Sequence, residues 1–416
     1  MSLRFGGLWR NPDFLRVWIG GTISAVGSQV TVLAVPLTAV LVFGAGPAET
    51  GVLTAAGVAP MLLLNLVAGA MVDRLPRRRV RIAADLISGA IVATIPVASL
   101  LGVLRLEHLY VATFLAGCGT VFSRLAVGAM LPQLVGKQNL LEANGKMLTS
   151  FSLALVLGPS LTGLLVQVMG PPVALVVDAA SYLISAACFW RVRLVELPGG
   201  ATHRGGLLRE ILEGLRWLRG QPILFRLVVS IGLANLAWYG VTAVIVIFAT
   251  EDLGLSPAML GLALAAIGPS SLVSSLVAAR VARRFGMGPT LVFSLCGEAV
   301  SRVVLVVAGG PPPVAALMIG LSYFVFGFIA PLWDVNANSL RQAATPERLL
   351  GRVSAASTFV GVGMAPIGAL LAGWIGQVAG TRAALLETTV VTLVAVLLLW
   401  RSAVPRLRVP EHAAIG

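Results

Sequence analysis

The sequence predicts an all-α membrane protein: twelve transmembrane helices in two pseudo-symmetric six-helix bundles. Three observations predict it. Hydrophobic residues make up 57% of the 416 residues, charged residues 11%, and mean hydropathy is +0.94. Soluble domains run near a quarter charged, so this composition suits a chain solvated by lipid. The apolar residues also fall into twelve runs, each long enough to span a bilayer, and features of the first half recur in the second at a constant spacing.

A spanning helix needs about 20 mostly apolar residues. The runs lie at roughly 13–43, 48–72, 82–104, 108–131, 146–170, 172–194, 222–249, 257–281, 288–308, 312–334, 352–377 and 382–402. Asn11 and Pro12 mark the start of the first, as N-cap and first helical residue. The longest connection divides the chain into a bundle over 1–194, a linker over 195–221, and a bundle with a short tail over 222–416. The linker carries Leu207, Leu208, Ile211, Leu212, Leu215 and Leu218 at helical spacing, with Arg209, Glu210, Glu213, Arg216 and Arg219 on the other face. This pattern predicts an amphipathic helix, either lying on the membrane surface or acting as a plain helical linker.

Repetition supports the division. Val72-Asp73-Arg74 has a counterpart in Val281-Ala282-Arg283, and Leu140-Leu141 in Leu349-Leu350, both displaced by 209 residues (281 − 72 and 349 − 140). Two unrelated loops that keep one spacing indicate a duplicated chain.

Orientation follows from the positive charges. One set of loops holds Arg4, Arg10, the run from Arg74 to Arg81, Lys137, Lys146, the arginines from Arg191 to Arg226, Arg280, Arg283, Arg284, Arg341, Arg348, Arg352, Arg401, Arg406 and Arg408; the other holds Arg105 and Arg382. The asymmetry places both termini on the cytoplasmic side of a bacterial-type inner membrane. It also accounts for the net charge of +13 without nucleic acid, since no basic stripe is interleaved with aromatics. The first apolar run is long and lacks a small-residue cleavage pattern, so no cleaved signal is expected.

Other classes of function fit poorly. Cys118, Cys188 and Cys296 are separate and lie in apolar runs, and His108, His203 and His412 are scattered, so no metal or disulfide framework is expected. Gly136-Lys137 and Gly145-Lys146 lack the preceding glycine of a phosphate-binding loop. No cofactor and no enzymatic cluster is expected.

Residues 69–78, Gly-Ala-Met-Val-Asp-Arg-Leu-Pro-Arg-Arg, resemble the loop motif G-x-x-x-D-R-x-G-R-R of the major facilitator superfamily, with Pro76 in place of a glycine. Gly158-Pro159-Ser160-Leu161-Thr162-Gly163 resembles the G-P-x-x-G-G motif of its exporters, with Thr162 in place of a glycine. Asn11-Pro12-Asp13-Phe14-Leu15-Arg16, the stretch from Leu134 to Asn144, Val177 to Tyr182, and Pro346-Glu347-Arg348 with Gly351-Arg352-Val353 are similar to the drug-exporter branch that includes macrolide and siderophore exporters. The resemblance implies the major facilitator fold. It implies gating roles for Gly69, Asp73, Arg74, Arg77 and Arg78 as a latch, and for Gly158, Pro159 and Gly163 in a helix that rocks against its neighbour. The sequence departs from the branch in the first helix, where Ser28 and Gln29 replace an acid, and in the fourth, where Arg124 stands in place of one.

Charges within spans cost on the order of 2.5–3.5 kcal/mol each on insertion scales, so each needs a partner or a task. Glu298 and Arg302, four apart, can pair on one helix face. Asp85 and Asp334 are expected near the ends of spans as water-accessible loop anchors, and Glu387 to pair with Arg382. Asp178 has no basic neighbour in sequence. It is either a proton carrier or a hydrogen-bonded packing residue, and Asp178 and Glu298 are the proton-coupling candidates. Arg124 would hold an anionic group or close a buried ion pair. By resemblance to the fold, Gln29, Asn235, Trp238, Tyr239, Tyr323, Phe324 and Trp333 join Arg124 as substrate-binding candidates. Aromatic walls with few polar groups suit an amphipathic ligand.

The expected function is proton-coupled export of hydrophobic or amphipathic small molecules by alternating access, by a monomer whose partners are its substrate, protons and the bilayer. Export of one natural product or an anionic siderophore is the alternative. An importer, a lipid flippase and a non-transporting sensor remain further readings.

Overall fold

The computed structural model describes residues 7–194 and 207–407, excluding the side chains of 66, 67, 70, 73 and 207–210. Arg4, Arg408, His203, His412, linker residues 195–206 and the side chain of Asp73 therefore lie outside the described residues. All regular structure among those described is helical, in the order α1 (Pro12–Phe43), α2 (Pro47–Arg74), α3 (Arg77–Leu100), α4 (Leu106–Val135), α5 (Leu140–Met169), α6 (Pro171–Trp190), α7 (Leu207–Arg219), α8 (Pro222–Ile247), α9 (Pro257–Ala265), α10 (Ile267–Phe285), α11 (Met287–Val306), α12 (Pro312–Ala343), α13 (Leu350–Ala379) and α14 (Thr381–Trp400). Twelve helical spans are long and apolar enough to cross a membrane, with α9 and α10 counting as one.

Helix starts follow local chemistry. The Asn11 side chain accepts from the backbone N–H groups of Asp13 and Phe14 at 3.0 and 3.1 Å, with Pro12 in the first turn. Ser256 caps α9 in the same way, accepting from Met259 at 3.3 Å. The eighth span is broken at Ala266, where one run was expected. Pro269 follows three residues later; it has no N–H to give the carbonyl of Ala265, so the ladder lapses there.

The duplication appears in the backbone at a spacing of 210 residues, one more than the loop pairs suggest. Pro12 and Pro222, Pro47 and Pro257, and Leu140 and Leu350 open corresponding helices. Gly44 and Gly254 (φ 62° and 64°), and Gly170 and Gly380 (φ 82° and 89°), stand at equivalent turns 210 apart (254 − 44 and 380 − 170). Left-handed backbone is open to glycine at little cost, so these turns keep glycine in both halves.

The chain divides into two compact units: Met1–Gly44 with Ala59–Thr202, and Ala45–Val58 with His203–Gly416. In the first, α1 packs on α6 and α5, and α3 on α6 and α4. Small residues permit the crossings. A Cβ on Gly27 would collide with Ser181 and Asp178 of α6, one on Gly20 would lie 2.9 Å from the Cβ of Cys188, and one on Gly89 3.0 Å from the Cβ of Tyr182. Gly158 likewise receives the side-chain stem of Gln29.

In the second unit, α13 packs on α8, α12 on α10 and α11, and α14 on α8 and α11. A Cβ on Gly368 would strike the backbone of Leu236, and one on Gly327 would lie 2.5 Å from the carbonyl oxygen of Ile267. The first half of α2 belongs to this unit. There, a Cβ on Gly51 would lie 2.7 Å from the carbonyl of Ala369 and 3.0 Å from the Cα of Gly373.

The linker helix α7 docks on protein. Its Ile211, Gly214 and Leu218 are buried, and Leu218 joins the apolar core built from α8, α11, α12 and α13. A Cβ on Gly214 would lie 3.0 Å from the Cβ of Ala356, and Glu213 pairs with Arg352 of α13 at 2.8 Å. The described part of its hydrophobic face is thus packed largely on protein, although Leu212 remains exposed.

Candidate functional site

Each bundle holds its own buried polar core. In the first, Asp178 of α6 is fully buried. It accepts a hydrogen bond from the Thr31 hydroxyl of α1 and another from Ser181 at 3.0 Å. This is the hydrogen-bonded arrangement; a carboxyl held between α1 and α6 in this way ties the two helices together. Nearby, Asp85 of α3 is also fully buried. It accepts from Arg81 Nε at 2.9 Å, Ser185 at 2.7 Å and Ser123 at 3.3 Å, while Arg81 also donates to Ser185 at 3.0 Å. The Arg81 guanidinium stacks over Phe189 at 4.8 Å. Asp85 is therefore no water-accessible loop anchor. It binds α3 to α6 and α4, and Arg81 is its internal partner.

In the second bundle one guanidinium ties three helices together. Arg302 of α11 donates to Glu298 one turn earlier, to the Thr392 hydroxyl of α14 at 2.7 Å, and to the Ala237 carbonyl of α8 at 3.2 Å. The expected Glu298–Arg302 pair is present and buried, and Arg302 also acts electrostatically on Tyr323 of α12 and Glu387 of α14. The expected Glu387–Arg382 pair is absent. Arg382 donates to the carbonyls of Val306 and Ala308 at 2.7 and 2.8 Å, whereas both carboxyl oxygens of Glu387 are buried with no hydrogen-bond partner among the described residues.

Glu298 also lines a cavity of about 340 Å³ formed by α8, α11, α12 and α13. Three of the expected substrate residues meet there: Asn235, Trp238 and Trp333. The Trp238 ring stacks on Phe326, with centroids 4.1 Å apart and planes 8° from parallel. Tyr323 sits behind this stack, 6.0 Å from Trp238, and is buried without lining the cavity. Tyr239 is half-buried on α8 and has a partner of its own. Phe324 lies elsewhere, in an apolar groove with Leu262, Ala263, Leu317 and Gly320. Gln29 and Arg124 belong to the first unit; Gln29 accepts from Thr162 through its carbonyl at 3.4 Å, and Arg124 is exposed on α4.

Asp334, Asn338 and Arg341 also line the cavity, as do Phe326, Ser357 and Thr358. The signal for them is periodicity. Positions 326, 330, 333, 334, 337, 338 and 341 fall at helical spacing on one face of α12. Following that face onward from Trp333 finds the polar members. Asp334 lines this cavity and is exposed to it, where a loop anchor was expected.

Among the gating candidates, Arg77 donates to the carbonyl of Ala129 at 3.3 Å and Arg78 to that of Val192, so both bind backbone within the first unit. Arg74 is exposed. Gly69 makes no close contact: a Cβ there would meet nothing within 4 Å among the described residues. Close packing is found instead at Gly158, where α5 meets α1. Pro159 and Gly163 are buried in the same helix.

Twelve apolar spans, a duplicated helical bundle and buried ion pairs define a polytopic transporter-like membrane protein. The family model of the Major Facilitator Superfamily matches residues 17–361 and 227–415, and the chain belongs to that superfamily. It is 29% identical over 385 residues to the multidrug efflux pump Tap of Mycolicibacterium fortuitum, covering 91% of this chain and 92% of that one. It is 26% identical over 371 residues to the enterobactin exporter EntS of Citrobacter koseri, covering 88% and 86%. Among solved structures, the fold resembles a variant of the nucleoside transporter NupG (TM-score 0.79, 10% identity, 93% of this chain and 99% of that one). It also resembles a bacterial homologue of the iron transporter ferroportin in its inward-facing state (TM-score 0.74, 17% identity, 95% and 99%).

Proposed function

We propose that the chain is a secondary active exporter of hydrophobic or amphipathic small molecules, driven by protons and working by alternating access of two bundles. The observation that carries this reading is the cavity of about 340 Å³ in the second bundle, with its Trp238–Phe326 stack, Trp333, and a few polar groups at one face. Its size and lining match small-molecule sites, where apolar walls hold the ligand and a few polar groups orient it. The names of the multidrug and siderophore exporters to which the chain is similar point the same way.

In this reading Asn235, Trp238 and Trp333 contact substrate. Glu298 and Asp178 are the carboxyls assigned to proton movement, Glu298 because it both lines the cavity and pairs with Arg302. Asp73 and Arg74 would act in the loop latch, and Gly158, Pro159 and Gly163 in the rocking of α5 against α1. The arginine asymmetry supports a chain in the inner membrane with both termini cytoplasmic.

A second reading, export of a single anionic siderophore, is favoured by the similarity to the enterobactin exporter and by Arg124 within a span. Everted vesicles decide between them. With an imposed proton gradient, accumulation of several unrelated amphiphiles, abolished by an ionophore, is the expected result. Movement of one anionic compound alone, lost in Arg124→Gln, would replace the first reading with the second. Absence of any gradient-dependent movement would refute both.

A further inference from the structure

The cavity of the second bundle carries charge as well as aromatic surface. Glu298 is committed to Arg302, and the two largely cancel. Asp334 is different. It lines the cavity and is exposed there, and its carboxylate makes no hydrogen bond or ion pair among the described residues. Its backbone carbonyl alone is used, accepting from Asn338 at 2.8 Å. Trp333 precedes it on α12, and the Trp238–Phe326 stack lines the same cavity. The opposing charge is Arg341, two turns further along, about 10 Å away at 1.5 Å per residue. Arg341 is held by the side-chain oxygen of Asn338 at 2.7 Å, while its Nε is buried without a partner.

A free carboxylate beside aromatic faces attracts a cation twice over, by direct charge and by the negative face of each ring. An anionic ligand seated against the same rings meets the uncompensated carboxylate of Asp334, and finds attraction only at the Arg341 end. A neutral ligand leaves Asp334 without a donor in a space from which it has displaced water, which is unfavourable. We propose that this cavity selects amphiphiles bearing a protonated amine, with the ammonium at Asp334 and the apolar body against Trp238, Phe326 and Trp333. The inference rests on the exporter reading for its physiological meaning, but ligand selection by the cavity can be measured apart from transport.

The test uses three probes on one planar aromatic body, ending in a dimethylammonium, a neutral hydroxyl or a carboxylate. Binding to the purified full chain is followed by quenching of tryptophan emission, and transport is followed in everted vesicles. Wild type should bind the ammonium probe best. Asp334→Asn should reduce the preference for ammonium over hydroxyl at least about tenfold, the loss expected for one charge-assisted hydrogen bond, and Asp334→Glu should restore most of it. Equal loss for all three probes in Asp334→Asn would assign Asp334 a structural role and overturn the proposal. So would a preference for the carboxylate probe that depends on Arg341. If Asp334→Asn fails to fold, the wild-type ranking and Asp334→Glu still decide. Ammonium-selective binding without transport of any probe would uphold this inference while refuting the exporter reading; transport without ammonium preference would do the reverse.

Discussion

Removing Arg302 should destabilise the second bundle more than removing either carboxylate near it. The guanidinium serves Glu298, Thr392 and the Ala237 carbonyl directly, and Glu387 through space. Arg302→Met keeps an unbranched apolar stem and removes all of this. Breaking a buried ion pair from one side costs roughly 3–5 kcal/mol, because the partner is left uncompensated. The neutral partners add little, since Thr392 keeps its own bond to the Thr388 carbonyl at 2.9 Å. Against a typical total stability of about 5–15 kcal/mol, such a loss is large. Glu298→Met should cost less, because Glu387 remains to balance the arginine. The double variant Glu298→Met/Arg302→Met should recover much of the loss, and adding Glu387→Gln should recover most of the remainder, since the last unpaired carboxyl is then neutral. Equilibrium unfolding in mixed micelles, followed by tryptophan emission, measures each step. If Arg302→Met costs less than about 1 kcal/mol, or Glu298→Met costs as much as Arg302→Met, the picture of one cation shared by two acids is wrong.

Four further outcomes test other contacts. Gly368→Ala drives a methyl group into the backbone of Leu236 and should cost at least about 1–3 kcal/mol of stability. Gly69→Ala has open space and should stay within about 0.5 kcal/mol of wild type by the same unfolding assay. Gly214→Leu should lift α7 from α13, because the added side chain meets the Arg352 backbone and Ala356; faster amide exchange confined to Leu207–Arg219 is the expected signature, and unchanged protection would refute the docking. Asp178→Asn should keep the fold, since an amide can still accept from Ser181 and exchange a hydrogen bond with Thr31. It should abolish proton-driven efflux while leaving substrate exchange without a gradient intact if Asp178 carries protons, and efflux at wild-type rates would remove it from that role.

The fold is legible in the sequence because lipid imposes a single rule: about 20 residues without exposed polar backbone or excess charge. Twelve such runs give twelve spans, and fixed glycines and prolines at the turns preserve the duplication. The Glu298–Arg302 pair is legible for a second reason, that residues four apart on a helix share a face. The same rule applies to Arg81 and Asp85, but a run of five basic residues from Arg74 to Arg81 presents Arg81 as one more surface anchor. Which way the last member turns depends on where α3 crosses α6, a tertiary fact. Arg382 and Glu387 show the converse. They are near in sequence, yet five residues apart turns them roughly 140° from one another around the helix, so proximity in the chain is not proximity in space. Arg382 instead satisfies the carbonyl of Val306 at the end of α11, which has no intrahelical donor, and that of Ala308 just beyond it, while both carboxyl oxygens of Glu387 are buried elsewhere.

The two polar cores also explain why duplication reveals architecture but not the site. At the spacing of 210, Asp85 corresponds to Leu295, and Arg302 corresponds to Val92. The first bundle binds its helices with Asp85, Arg81 and Asp178, and the second with Arg302, Glu298 and Thr392; neither set is a copy of the other. A buried charge requires partners at defined positions on neighbouring helices, so each set must change as a group. Repetition therefore marks the residues that turn the chain, whereas departure from repetition marks the residues that distinguish the bundles. Glu298 and Asp334 stand among the latter, and that asymmetry, rather than the aromatic content alone, directs attention to the second bundle for the proposed ligand site.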